Sequence, residues 1–193
     1  VNDLRQPRLL GLALLLMIGA ASWLAMMVVH ESGHVLAAWA SGGRVARVVL
    51  HPLSFSRTDL AENPHPLFVV WGGPVWGSAL PIVVWLAART FRLRLAFLLR
   101  FFAGFCVIAN GAYLASATVV PVGDSEDLLL LGAPLWAIAV PGLAAFAGGL
   151  ATMNRLGPHF GLDGQTVDRQ AVITTSAVLI ALVVGMFCWS ALS

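Results

Sequence analysis

Lysine is missing altogether: all 11 basic side chains are arginine. Charge of either sign is scarce, at 10% of 193 residues, where soluble domains carry about 25%. A soluble fold of this size has too little interior to hide a chain that is 59% hydrophobic, so the bilayer is the natural solvent. The net charge is only +2, and the arginines fall in short segments between apolar runs. That pattern reads as membrane topology and excludes a nucleic-acid surface. Cysteine is nearly absent too. Cys106 and Cys188 both lie inside apolar runs, and without paired spacing they exclude a disulfide framework and a cysteine zinc site.

What fills the chain is long apolar stretches. The first runs from 9 to 40, about 48 Å as one helix, which exceeds a bilayer core and predicts a tilt, a protrusion or a break near Gly19. Its start, with Arg5, Arg8 and then Gly19-Ala20-Ala21-Ser22, also has the form of a signal peptide, but the apolar run continues past Ser22. Ser41-Gly42-Gly43 ends it. Residues 42–66 read as a small hairpin at the membrane edge, with one strand at Val45–Leu50 and a return at His51–Ser56. Asn63-Pro64-His65-Pro66 closes that loop.

Further apolar segments follow at about 67–88, interrupted by Gly72-Gly73-Pro74, and at 95–119, 128–153 and 170–192. An acidic loop, 121–127, precedes the fourth, and a polar loop, 154–169, precedes the fifth. The expected fold is an all-α membrane protein. It is a polytopic bundle of about five transmembrane helices with a membrane-edge β-hairpin, a single domain over 1–193, multi-pass in the cell membrane. Arg5, Arg8, the turn at 89–94, Arg155 and Arg169 would share one side and favour an inside amino terminus. Arg44, Arg47 and Arg57 would lie opposite.

The chemistry lies in His30-Glu31-Ser32-Gly33-His34. On a helix, positions four apart share a face, so both imidazoles can hold one tetrahedral zinc at about 2.0–2.1 Å. Glu31, beside the first ligand, can act as general base toward a water whose pKa the metal lowers to about 7. His30 lies ten residues before Ala40, about 15 Å into the helix, where ionisable groups are costly and functional by default. The bland alternative is interhelical hydrogen bonding by all three side chains.

A catalytic zinc needs a third protein ligand and an open position. Asp124, Glu126, Asp127, His51, His65 and His159 are the available donors. Asp124 is preferred because it sits at the junction of two apolar segments and can fold back onto the first helix. Asp127, three residues on, is the runner-up, and either Asp124 or Ser125 can instead cap a helix starting near Leu128.

Together these pieces resemble the site-2 protease family of intramembrane zinc metalloproteases, over roughly 20–150. The matching parts are the His-Glu-x-x-His motif in a membrane helix, Gly72-Gly73-Pro74 in the next segment, and the aspartate segment one further on. In that family the aspartate is followed by glycine, two residues and an apolar pair. Asp124-Ser125-Glu126-Asp127-Leu128-Leu129 keeps this register with serine in place of the glycine. The asparagine typical of the family three residues after the Gly-Pro proline is Gly77 here, and Asn110 is a candidate to hydrogen-bond substrate or a ligand, or simply a neighbouring helix. The resemblance implies one Zn2+ per chain held by His30, His34 and Asp124, with Glu31 catalytic. It implies as partners the lipid bilayer and a membrane-protein substrate with a transmembrane helix, presented as an extended strand along the 42–66 hairpin. It also implies zinc near the cytosolic face, opposite to what the arginines favour. From another class, a metal-ion carrier or a degenerate protease scaffold would also use membrane-buried His, Glu and Asp.

Overall fold

A computed structural model describes residues 5–163 and 165–192, with side chains from Leu9 onward. The side chains of Arg5 and Arg8, used above for orientation and the signal-like start, lie outside the described residues. Helix α1, Arg5–Ala40, is followed by strands β1, Arg44–Val49, and β2, Arg57–Glu62. Then come α2, Pro66–Thr90; α3, Ala96–Ala115; the short α4, Asp124–Leu130; α5, Leu135–Met153; and α6, Arg169–Leu192. All of these except α4 and the strands are long and apolar enough to cross a membrane, five helices among the described residues. Their outward faces carry Leu9, Leu16, Trp136, Val140 and Ile180, all more than half exposed. A bilayer would cover that surface, which water would not tolerate on this scale.

Three boundaries refine or correct the expectation. First, of the tilt, protrusion or break expected of the first segment, the break does not occur: α1 is one helix of 36 residues, about 54 Å, and an added Cβ at Gly19 would meet nothing within 4 Å. Second, the return strand is not His51–Ser56. That stretch is a turn, in which His51 Nδ1 accepts from the Leu53 N–H at 3.1 Å, and Pro52 has no N–H for a ladder. The return is β2, antiparallel to β1 and held at its rim by Arg44 to Glu62 at 2.7 Å and Arg47 to Asp59 at 3.2 Å. Third, the fourth apolar segment is two helices. Gly132, at φ +86°, and Pro134 separate α4 from α5, and α4 begins at Asp124, so the acidic stretch is largely helical.

Gly72-Gly73-Pro74 does not interrupt α2 either: the helix runs through Pro74 and Pro81, both buried. The glycines set how close it comes to α1. A Cβ on Gly72 would lie 2.6 Å from both Ala37 Cβ and Gly33 O, and one on Gly33 would strike Gly72 O. Backbone therefore meets backbone at this crossing, as small residues allow between membrane helices. Packing of α3 on α5 uses the same device, with Gly149 against Gly104 O and Gly142 against Gly111 O.

Two ends of the bundle are distinguishable. At one, Arg94 pairs with Asp168 at 3.0 Å and Arg100 donates to Thr152 O at 2.7 Å. Leu14, Ile18, Leu98, Phe101 and Phe160 form the core there. The hairpin occupies the other end, where Val45 and Leu60 pack on Ala37, Ala38 and Val69.

Candidate metal centre

Three side chains from two elements converge near the hairpin end. His30 and His34 come from α1, one turn apart; Asp124 comes from the first turn of α4. His30 Nε2 lies 3.1 Å from His34 Nε2 and 3.0 Å from Asp124 Oδ2, and His34 Nε2 lies 3.4 Å from the same oxygen. A tetrahedral ion with bonds of about 2.0–2.1 Å requires donors about 3.3 Å apart. All three separations fit that edge.

The far sides of the imidazoles explain which atoms face inward. Val69 O can only accept, and it lies 2.8 Å from His34 Nδ1, so His34 carries its hydrogen there. Asn110 Nδ2 donates to Cys106 O at 2.9 Å, which turns Asn110 Oδ1 toward His30 Nδ1 at 2.7 Å. His30 thus also carries hydrogen on Nδ1. With both rings neutral, the two Nε2 atoms then present lone pairs to Asp124 Oδ2, a buried oxygen without a hydrogen-bond partner. Three lone pairs facing one another are mutually repulsive, and a shared cation relieves all of them. A buried His-His-Asp group of this kind can hold a metal ion, and the acceptors behind the imidazoles are the outer partners such sites use.

Neighbouring positions make room for the cluster. A Cβ on Gly73 would fall on His34 Nε2 and lie 2.7 Å from His30 Nε2. One on Gly77 would lie 2.9 Å from Asn110 Nδ2, so the space left by the absent side chain of α2 is filled by an amide from α3. Asp124 is aimed by its own turn. Gly123, at φ +50°, precedes it, and the Asp124 N–H donates to Tyr113 Oη at 3.2 Å. Ser125, which stands where the resemblance expects glycine, is buried. Its hydroxyl donates to Val122 O at 2.9 Å and accepts from Val122 N–H at 3.0 Å, which closes the turn behind Asp124.

The remaining donors named from sequence are elsewhere. His51 packs edge-on to Phe187, His159 stacks on Phe97 with centroids 4.6 Å apart, and His65 is exposed before α2. Glu126 and Asp127 are exposed on α4; Asp127 reaches the rim of the cavity described next but not the donor cluster.

Glu31 is buried and does not join the three donors; Thr58 Oγ1 of β2 donates to its Oε2 at 2.7 Å. The carboxylate opens on a cavity of about 860 Å³, lined by His30, Glu31, His34 and Asp124 at one side and by Thr58 and Leu60 of β2 at another. Thr58, Tyr113 and the Val69 carbonyl were not identifiable from sequence. A lone threonine in a polar segment and a backbone oxygen carry no pattern, whereas Asn110 stood out as an amide in an apolar run.

Comparison with known proteins finds no matching family model, no matching curated protein and no matching solved structure, so the chemistry of this centre rests on its own geometry.

Proposed function

We propose that the chain is a multi-pass membrane zinc endopeptidase that hydrolyses peptide bonds in or near the transmembrane segments of other membrane proteins, as its resemblance to site-2 proteases implies. The observation that carries this reading is the convergence of His30 Nε2, His34 Nε2 and Asp124 Oδ2 at tetrahedral spacing, with Glu31 beside them on one cavity. Three protein donors leave one position for a reactant, the composition of a catalytic rather than a structural site. Nitrogen and carboxylate donors at these distances suit zinc.

Zinc bound there would supply Lewis acidity, polarising the scissile carbonyl and making water acidic enough to attack. His30, His34 and Asp124 hold the ion; Asn110 and Val69 O fix the imidazoles. Glu31, free of the donor set, takes the proton from the attacking water and can return it to the departing amine. Substrate must arrive unwound, because a helical backbone hides its carbonyls. β2 has no second strand partner among the described residues, and its Thr58 and Leu60 line the cavity, so an extended segment can add to it there.

Glu31→Gln keeps the shape and loses the base. Purified Glu31→Gln protein is expected to bind one zinc per chain, as wild type does, and to leave a transmembrane model substrate intact. Cleavage by that variant at the wild-type rate would end the protease reading. A metal carrier has no need of a carboxylate that stands outside the donors and is held by a hydroxyl. Zinc uptake into proteoliposomes that is insensitive to Glu31→Gln would favour the carrier.

A further inference from the structure

One line of contacts runs from the last helix to the general base. Trp189, near the end of α6, donates its indole N–H to Val48 O of β1 at 2.7 Å. Val48 is the register partner of Thr58 across the hairpin. Thr58 Oγ1 in turn donates to Glu31 Oε2 at 2.7 Å. Four elements, α1, β1, β2 and the distant α6, therefore meet on one rung. Around it, Phe187 packs edge-on to His51 with centroids 5.2 Å apart, and Leu50 packs with Leu24, Met27 and Met186.

Each contact has a physical reason to be specific. Trp189 is 46% exposed, and its indole N–H supplies a donor to a strand carbonyl at the edge of the two-stranded sheet. The Thr58 bond ends on a carboxylate, which makes it charge-assisted and directional. A glutamate has three rotatable bonds, and a base serves only when its oxygen is held within reach of the proton. Thr58 fixes one Glu31 oxygen and leaves the other for chemistry.

We propose that Thr58 is a positioning residue for Glu31, and that Trp189 sets the hairpin from which Thr58 acts. The proposal rests on the protease reading, with α6 as a brace for the base rather than a membrane anchor alone. It makes the hairpin both the edge that receives substrate and the part that aims the base.

The test uses the full zinc-loaded chain, reconstituted with a transmembrane model substrate, with kcat and KM measured separately. Thr58→Val keeps shape and removes the hydroxyl. It is expected to lower kcat roughly ten- to a hundredfold, the range of one hydrogen bond to a charged group, with KM within about twofold and zinc content unchanged. Thr58→Ser is expected to restore most of the rate. Trp189→Phe is expected to lower kcat less. The double variant Thr58→Val/Trp189→Phe is expected to be no worse than Thr58→Val alone, since both act through one bond. A readout independent of turnover is amide hydrogen exchange: Trp189→Phe should speed exchange severalfold across 44–62 and leave α3 and α5 unchanged. An unaltered kcat in Thr58→Val, equal losses in the valine and serine variants, additive losses in the double variant, or unaltered hairpin exchange would each overturn the proposal. An inactive wild type, or activity surviving Glu31→Gln, removes the protease reading itself. Normal Thr58→Val turnover in a preparation where Glu31→Gln is dead removes only the positioning role.

Discussion

At the scale of single residues, the centre depends as much on atoms that are missing as on those that bind. Gly73 has no side chain where a methyl group would strike His34 Nε2. Gly73→Ala should therefore lose metal while the helices persist, read as zinc per chain by elemental analysis beside an unchanged far-ultraviolet circular dichroism spectrum. Full zinc occupancy in that variant would mean the imidazoles have more freedom than their packing implies. Asn110→Ala removes the acceptor behind His30 and leaves its Nδ1–H without a partner. Loss of such an outer partner costs about 10–100-fold in metal affinity, measurable by competition with a chelator of known affinity. The three candidate donors were legible because spacing alone puts His30 and His34 on one face, and because Asp124 sits at the junction of two apolar segments. The supporting shell was only half legible. An amide in an apolar run signals a buried role, but nothing in the one-dimensional pattern tells that Gly77 opens the space Asn110 enters.

Among elements, the hairpin shows where pattern reading succeeds and where it stops. Val45, Val48 and Val49 announce a strand, whereas Arg57–Glu62 has only one large aliphatic residue, Leu60, and is recruited by pairing with β1. Its hold is partly electrostatic. Burial works to raise the Asp59 carboxyl, but the hydrogen bonds from Arg57 and Arg47 outweigh it and hold the group below the usual carboxylate range. A carboxyl lowered in the folded state lends stability that is complete above its unfolded value, near 3.9, and is lost as pH falls through the folded one. The gain is small because these charges face solvent. Acidification below about pH 4 should then loosen wild-type hairpin amides, in exchange rates corrected for intrinsic pH dependence, while Asp59→Asn shows no such acid step. An identical acid response in both proteins would remove Asp59 from the account. The split between α4 and α5 was missed for a related reason. Leu128–Leu131 and Leu135–Ile138 look like one apolar run unless Gly132 and Pro134 are weighted as a break.

For the whole molecule, five apolar segments were read as five helices because length and hydropathy suffice for that, while the way they pack is set by glycine contacts that no periodicity encodes. An ion bound between α1 and α4 ties together parts that otherwise touch through α2 and α3, so metal should stabilise the fold as a ligand does. At a free concentration of 100 Kd the gain is about 2.7 kcal/mol. Chelation should lower the thermal midpoint of the detergent-solubilised protein, zinc should restore it, and Asp124→Ala should respond to neither. A midpoint indifferent to chelation in wild type would mean that the three donors bind no ion that matters to the fold. The separation of those donors along the chain has one more consequence. His34 leaves the ribosome 90 residues before Asp124, and Trp189 later still. A nascent chain with its first helix inserted holds two imidazoles and no third donor, and the hairpin lacks its brace until the last helix arrives. The order of synthesis thus completes the donor set only after the third membrane helix and the turn that follows it have been made, so an ion can close the site only at that stage.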